Sequence, residues 1–149
     1  MTPDQIALVR TTFADVLPAA PQAAAHFYAR LFELDPALRP LFGGDIELQG
    51  RKLMAMLGTA VGLLERGDAL GAALERLGQR HAGYGVEPGH YATVGRALLD
   101  TLAAGLGERF TPAAQAAWMA LYGHVAATMQ AAAAARPGAA STADAAPGH

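Results

Sequence analysis

An imidazole that closes an apolar helical stripe is the group in this sequence best suited to chemistry. Leu70, Leu74, Leu77 and His81 follow one another at intervals of four, three and four residues, so they share one helix face with the histidine at its end. A neutral imidazole offers one ring nitrogen to iron or another transition metal and keeps an N–H on the other for a positioning bond. A core histidine bonded to a backbone carbonyl accounts for the same pattern equally well. The remaining histidines are less well placed. His26 lies two residues before the inward Tyr28, about 200° round a helix, and points outward. His90 adjoins the inward Tyr91 and belongs at the surface, His124 is borderline on its helix, and His149 falls in the terminal segment. The chain has no cysteine, which excludes thiolate metal sites, disulfides and cysteine nucleophiles.

Helices must position these groups, because apolar residues recur at helical spacing almost throughout and runs of strict alternation are absent. The fold class expected is all-α. Thr2, Pro3 and Gln5 form an N-terminal cap, after which Ile6, Val9, Phe13 and Val16 or Leu17 make one face. A second helix starts near Pro21, carries Ala24, Tyr28, Leu31 and Phe32 inward, and ends at Asp35–Pro36, where a short helical turn runs through Leu41. Phe42 and the two glycines after it break the pattern. Asp45 caps a long helix to about Arg66, with Gln49, Leu53, Met56, Ala60 and Leu63 or Leu64 along a stripe headed by the polar Gln49.

Asp68 is placed to cap the helix that carries His81, and Gly83 and Gly85 stop it. After Pro88 another helix turns Tyr91, Val94, Leu98 and Leu102 inward and closes at Gly105 or Gly107. Thr111 and Pro112 open the last, with Trp118, Leu121, Tyr122, Val125 and Met129 inside. The helices make one domain, 1–136. The Pro, Gly, Ala, Ser and Thr of 137–149 cannot bury enough surface to offset the entropy of ordering, so that segment reads as a disordered tail.

The charge of 11 basic against 13 acidic residues is spread without a basic block, so no nucleic-acid partner is expected. No apolar run is long enough for a membrane span and no secretory signal is visible, so a cytoplasmic location is expected, which the absence of cysteine suits.

Several motifs, in order over roughly residues 3 to 130, resemble the single-domain bacterial globins of the flavohaemoglobin-like group. They are Phe27-Tyr28-Ala29-Arg30-Leu31-Phe32, then Pro36, then Arg39-Pro40-Leu41-Phe42, Gln49 with Leu53, Arg80-His81, Tyr91 ten residues after the histidine, and Trp118 with Tyr122-Gly123. The resemblance implies a globin fold around one haem b, with His81 as the iron ligand and Tyr91 bonding that histidine. It implies Tyr28 and Gln49 as donors to a diatomic ligand on the opposite face. Phe42, Leu53, Met56, Leu77 and Val94 suit the walls of the haem slot, and Lys52 and Arg80 suit the propionates. Each has a plainer reading. The apolar residues are core in any helical protein, Tyr28 would serve by bonding a backbone carbonyl, Gln49 by sitting in water at the pocket mouth, and Lys52 and Arg80 as a solvated face.

The function implied is reversible binding of dioxygen, with nitric oxide and carbon monoxide as further ligands, in a monomer or homodimer. The alternative is removal of nitric oxide as a dioxygenase with an external reductase, since no dinucleotide-binding fingerprint follows the helices; a gas sensor ranks behind both. One departure stands out. The family's last helix carries a glutamate that joins the proximal histidine and tyrosine, and the aligned residue here is Ala133. Without that carboxylate the histidine pushes less electron density to iron, which favours oxygen binding over peroxidase-like chemistry; the alternative is that another group, such as a backbone carbonyl, takes its place.

Overall fold

The computed structural model describes residues 1–42, 44–83 and 86–135, and the expected tail, Gly43 and Gly85 lie outside the described residues. Among them there is no strand, and six α-helices carry the fold: α1 (Pro3–Val16), α2 (Ala20–Leu34), α3 (Ile46–Gly62), α4 (Gly67–Gly83), α5 (Pro88–Leu106) and α6 (Pro112–Ala134).

Local chemistry sets most of the ends. Gln5 N–H donates to the Thr2 hydroxyl and Thr2 N–H to the Gln5 side chain, each across 3.1 Å, which satisfies two donors that the first turn of α1 leaves unpaired. Val16 rather than Leu17 takes the inward position, Leu17 being 47% exposed. Asp35 is driven to extended backbone by the proline after it, which stops α2 and opens the 3-10 segment Pro36–Leu41. The Asp45 carboxylate accepts from Leu48 N–H across 3.0 Å and starts α3. Thr111 does the same for α6 through Ala114 N–H. Gly107, at φ 57°, supplies the left-handed residue that ends α5.

Two boundaries differ from the sequence reading. α3 ends at Gly62 rather than about Arg66, because the Leu63 N–H is shared between the Thr59 and Ala60 carbonyls and tightens the last turn. Leu63 and Leu64 still pack inward beyond the helix end. α4 already begins at Gly67, so Asp68 lies inside its first turn, where its charge favours the positive end of the helix dipole.

The helices pack as α1 on α6, α2 on both α3 and α5, and α4 on α6. A large core cluster centred on Val9, Leu31 and Trp118 lies among α1, α2, α5 and α6. A smaller one joins Ala60, Leu70, Leu74, Tyr91, Ala126 and Met129. The one indole, fully buried, donates its N–H to the Thr12 hydroxyl across 2.8 Å, and that hydroxyl donates in turn to the Leu8 carbonyl. Glycine permits close approaches between helices. A Cβ on Gly50 would meet Ala24 Cβ at 2.9 Å where α3 crosses α2, and one on Gly95 would meet the Tyr122 ring at 2.7 Å where α5 meets α6.

Candidate functional site

The stripe of α4 has the predicted orientation. Leu70 and Leu74 are buried, Leu77 is partly buried against the smaller cluster, and His81 follows, partly buried, two residues before the helix ends. Its carbonyl accepts from Val86 N–H across 3.1 Å, which anchors the helix end to the segment leading into α5. His81 Nδ1 lies 2.8 Å from the Leu77 carbonyl oxygen. A carbonyl only accepts, so Nδ1 carries a proton, and in the neutral form of the ring the lone pair is on Nε2.

Among the described residues no group of three or more His, Asp and Glu side chains could hold a metal ion. One imidazole would hold a metal here only as part of a larger group that brings further ligands of its own. The surroundings suit a large apolar one. α3 rests on α2 and α4 rests on α6, while α3 and α4 are not a closely packed pair among the described residues. Phe42, Leu53 and Met56 on the α3 side, Leu77 on α4 and Val94 on α5 all stop at partial burial, as apolar side chains do where their packing is incomplete.

The second group of expected site residues is built on α2. Tyr28 is buried, and its hydroxyl donates to the backbone carbonyl of Gln49 across 3.2 Å. Burial pushes its pKa up to about 12, so the phenol keeps its proton, and with it a donor, at any physiological pH. Phe27 meets the ring edge-on at 5.0 Å, Phe42 edge-on at 5.3 Å, and Phe32 stacks at 6.1 Å. Gln49 is itself partly buried.

The structure thus brings Tyr28, Gln49 and Phe42 together, and His81 with Leu77. Tyr91 is buried at the start of α5, and Tyr122 donates to its backbone carbonyl across 2.6 Å. Burial raises the pKa of both phenols. Lys52 is partly buried, Arg80 is exposed, and Ala133 is partly buried on α6. His26 is exposed with its ring against the Thr101 hydroxyl, and His124 is exposed. His90 is partly buried rather than a bare surface residue, because its Nδ1 accepts from Glu87 N–H and caps α5.

Sequence reasoning did not single out Phe27 and Phe32 as supports of Tyr28, nor Tyr122 as a support of Tyr91. It also passed over Gly50, Gly78 and Gly95. Isolated glycines inside helical patterns carry a cost relative to alanine, and that cost is the signal that marks a close approach.

Comparison with known proteins gives a consistent picture. Residues 25–129 match the family model described as Globin. The chain is 30% identical over 125 residues to a flavohemoprotein of Vibrio cholerae, covering 82% of this chain and 32% of that protein. It is 35% identical over 130 residues to one of Bordetella pertussis and 29% identical over 129 residues to one of Deinococcus radiodurans, each covering 85% of this chain and 32% of the relative. The chain spans about a third of the length of these relatives.

Proposed function

The chain belongs to the globin family, and from that premise we propose that His81 carries the haem iron and that the protein takes up and releases dioxygen. Membership brings haem as the cofactor and gas binding as the activity, and the relatives place the chain with the flavohaemoglobin-like bacterial globins. The observation that carries the reading is the globin match over residues 25–129, within which His81 closes the apolar stripe of α4; its Nδ1 bond to the Leu77 carbonyl fits that role, since it turns Nε2 to the metal in the neutral ring. The partly buried Phe42, Leu53, Met56, Leu77 and Val94 support the fit, since a flat apolar macrocycle would complete their packing.

Held through His81, haem would supply an iron able to bind a diatomic gas. The chain does the rest. The Leu77 carbonyl holds the His81 proton at Nδ1, and the more firmly it accepts, the more basic Nε2 becomes. Tyr91 stands on the same side, buried beside Leu70 and Leu74. The aromatic wall of Phe27, Phe32 and Phe42 excludes water from Tyr28 and holds its ring. Tyr28 and the Gln49 amide supply the distal donors, which favour a polarised ligand such as dioxygen over carbon monoxide. Lys52 and Arg80 are the residues we assign to the propionates; at a solvated edge such pairs contribute little. With Ala133 at the position the resemblance aligns with the glutamate, α6 offers the histidine no carboxylate. The reading places the protein in the cytoplasm, as a monomer or homodimer; no helix among the described residues is long and apolar enough to cross a membrane.

The flavohemoprotein relatives favour a second reading, in which nitric oxide, dioxygen and one electron combine to give nitrate. Their name joins a flavin to a haem, and a flavin reductase would be the electron source.

The test is the visible spectrum of the haem-loaded chain in ferric, reduced and carbon-monoxide-bound forms, beside His81→Ala. A five-coordinate reduced spectrum that forms a stable carbon monoxide adduct, and is lost in the variant, is the expected result. A colourless protein that takes up no added haemin, or a variant with an unaltered spectrum, overturns the assignment of His81. Nitric oxide consumption that persists over many turnovers with a supplied reductant selects the second reading; consumption that stops after one equivalent selects the first.

A further inference from the structure

We infer that Gly78 is a positioning residue for His81: its bare backbone, pressed on the backbone of Met129, sets how far the imidazole stands from α6. The inference rests on His81 being the iron ligand and extends that reading to the helix seam behind it.

A Cβ on Gly78 would lie 2.3 Å from the Met129 carbonyl oxygen, 2.7 Å from its Cα and 2.8 Å from its carbonyl carbon. Ordinary contact begins at 3.4 Å, so α4 and α6 would have to part by about 1 Å. All three atoms are backbone of α6, and no rotamer change can move them aside. Gly71, two turns earlier on α4, has nothing within 4 Å of the equivalent position, so the close approach belongs to Gly78 and not to the helix as a whole.

The connection to His81 is short and stiff. His81 lies three residues on, about 4.5 Å along the helix axis. The carbonyl that holds His81 Nδ1 is that of Leu77, which belongs to the peptide unit joining Leu77 to Gly78. The imidazole therefore hangs from the same peptide unit that is seated on α6, and a displacement of that unit is passed directly to the ring. Metal–ligand distances hold to within about 0.2 Å. A shift of about 1 Å exceeds that range, so the ring must tilt or give up the Leu77 bond.

The experiment uses the full haem-loaded chain and reads the iron–imidazole stretching band of the reduced form by resonance Raman, together with the rate of haem loss to an excess of apo-globin acceptor. Gly78→Ala is expected to shift the band and to speed haem loss by about tenfold or more, the usual scale for disturbing the support of a metal ligand. Gly71→Ala, the same change on the same helix, is expected to alter neither. A purely structural effect is separated by His81→Gly loaded with free imidazole, whose ligand is no longer attached to α4. In that background Gly78→Ala should leave the band where it was.

Should Gly78→Ala fail to fold, Met129→Ala serves in its place. Met129 is buried on α6 in one cluster with Leu70 and Leu74 of α4, and truncating it loosens the seam on which Gly78 rests, so the band should shift. The inference is overturned if the variant that folds leaves band and haem loss as in the parent, or if Gly78→Ala shifts the band equally with free imidazole. Retention of the parent band by His81→Gly without imidazole is a different failure, that of His81 as the ligand.

Discussion

The Tyr28 hydroxyl donates to the backbone carbonyl of Gln49 across 3.2 Å, so one of the two proposed distal donors is already engaged, and with the backbone of the other. Good hydroxyl bonds are about 2.7–2.8 Å, and this one is long enough for a better acceptor to compete. The bond also ties α2 to α3 close to where Gly50 lets the two helices cross, which holds the Gln49 backbone in place beside the tyrosine. A gas whose outer atom carries negative charge can draw the Tyr28 proton away from Gln49, and a neutral one gains little by doing so.

Tyr28→Phe therefore separates the ligands. Loss of a donor to a partly charged acceptor is worth about 1.5–3 kcal/mol, so stopped-flow measurement should show dioxygen leaving roughly ten times faster or more, with carbon monoxide dissociation little changed. The Gln49 carbonyl keeps its place in the α3 ladder, so the thermal midpoint should move only slightly. Equal acceleration for both gases would mean that Tyr28 acts by filling space rather than by donating.

Alkaline pH is expected to unfold the chain. Burial raises the Tyr28 pKa from 10.0 to about 12, and it raises Tyr91 and Tyr122 in the same direction, with a lesser contribution at Tyr122 from the neighbouring Tyr91. The unfolded chain loses these protons near pH 10 while the folded one keeps them. The stability they contribute is therefore complete below pH 10 and is lost as pH rises toward 12. Denaturant midpoints taken from pH 8 to 12 should fall over that interval, and Tyr122→Phe should make the fall shallower. An unchanged slope in the variant would show that other groups dominate.

Thr12→Val should cost about 1–3 kcal/mol, because it leaves the buried Trp118 N–H without its acceptor. Thr12→Ser keeps the hydroxyl and should cost less. Urea titration followed by tryptophan fluorescence checks both, and the visible spectrum should not change, since the pair joins α1 to α6 in the large core cluster.

Local pattern carried a large share of this protein. The caps at Thr2, Asp45 and Thr111, the prolines that open helices, and the apolar stripes of α4, α5 and α6 are all short-range features, set by neighbours within four residues. They were legible because helix periodicity and capping act over one turn. The position of His81 at the end of its stripe was legible for the same reason, as was its bond to a carbonyl, since Leu77 is only one turn away.

What lay outside the reach of the sequence depends on residues far apart in the chain. That Tyr28 would spend its proton on the Gln49 carbonyl, that Tyr122 would reach the Tyr91 carbonyl, and that Trp118 would find Thr12 are outcomes of how the helices cross. The early end of α3 and the capping role of His90 needed the actual course of the backbone between helices. Gly78 is the clearest case. The sequence by itself determined an all-helical chain with a histidine closing one stripe; only the tertiary structure decided that α4 rests on the bare backbone of α6 beneath that histidine. The reason is physical: periodicity specifies which face of a helix turns inward, whereas the separation of two helices is set by the particular atoms that meet between them.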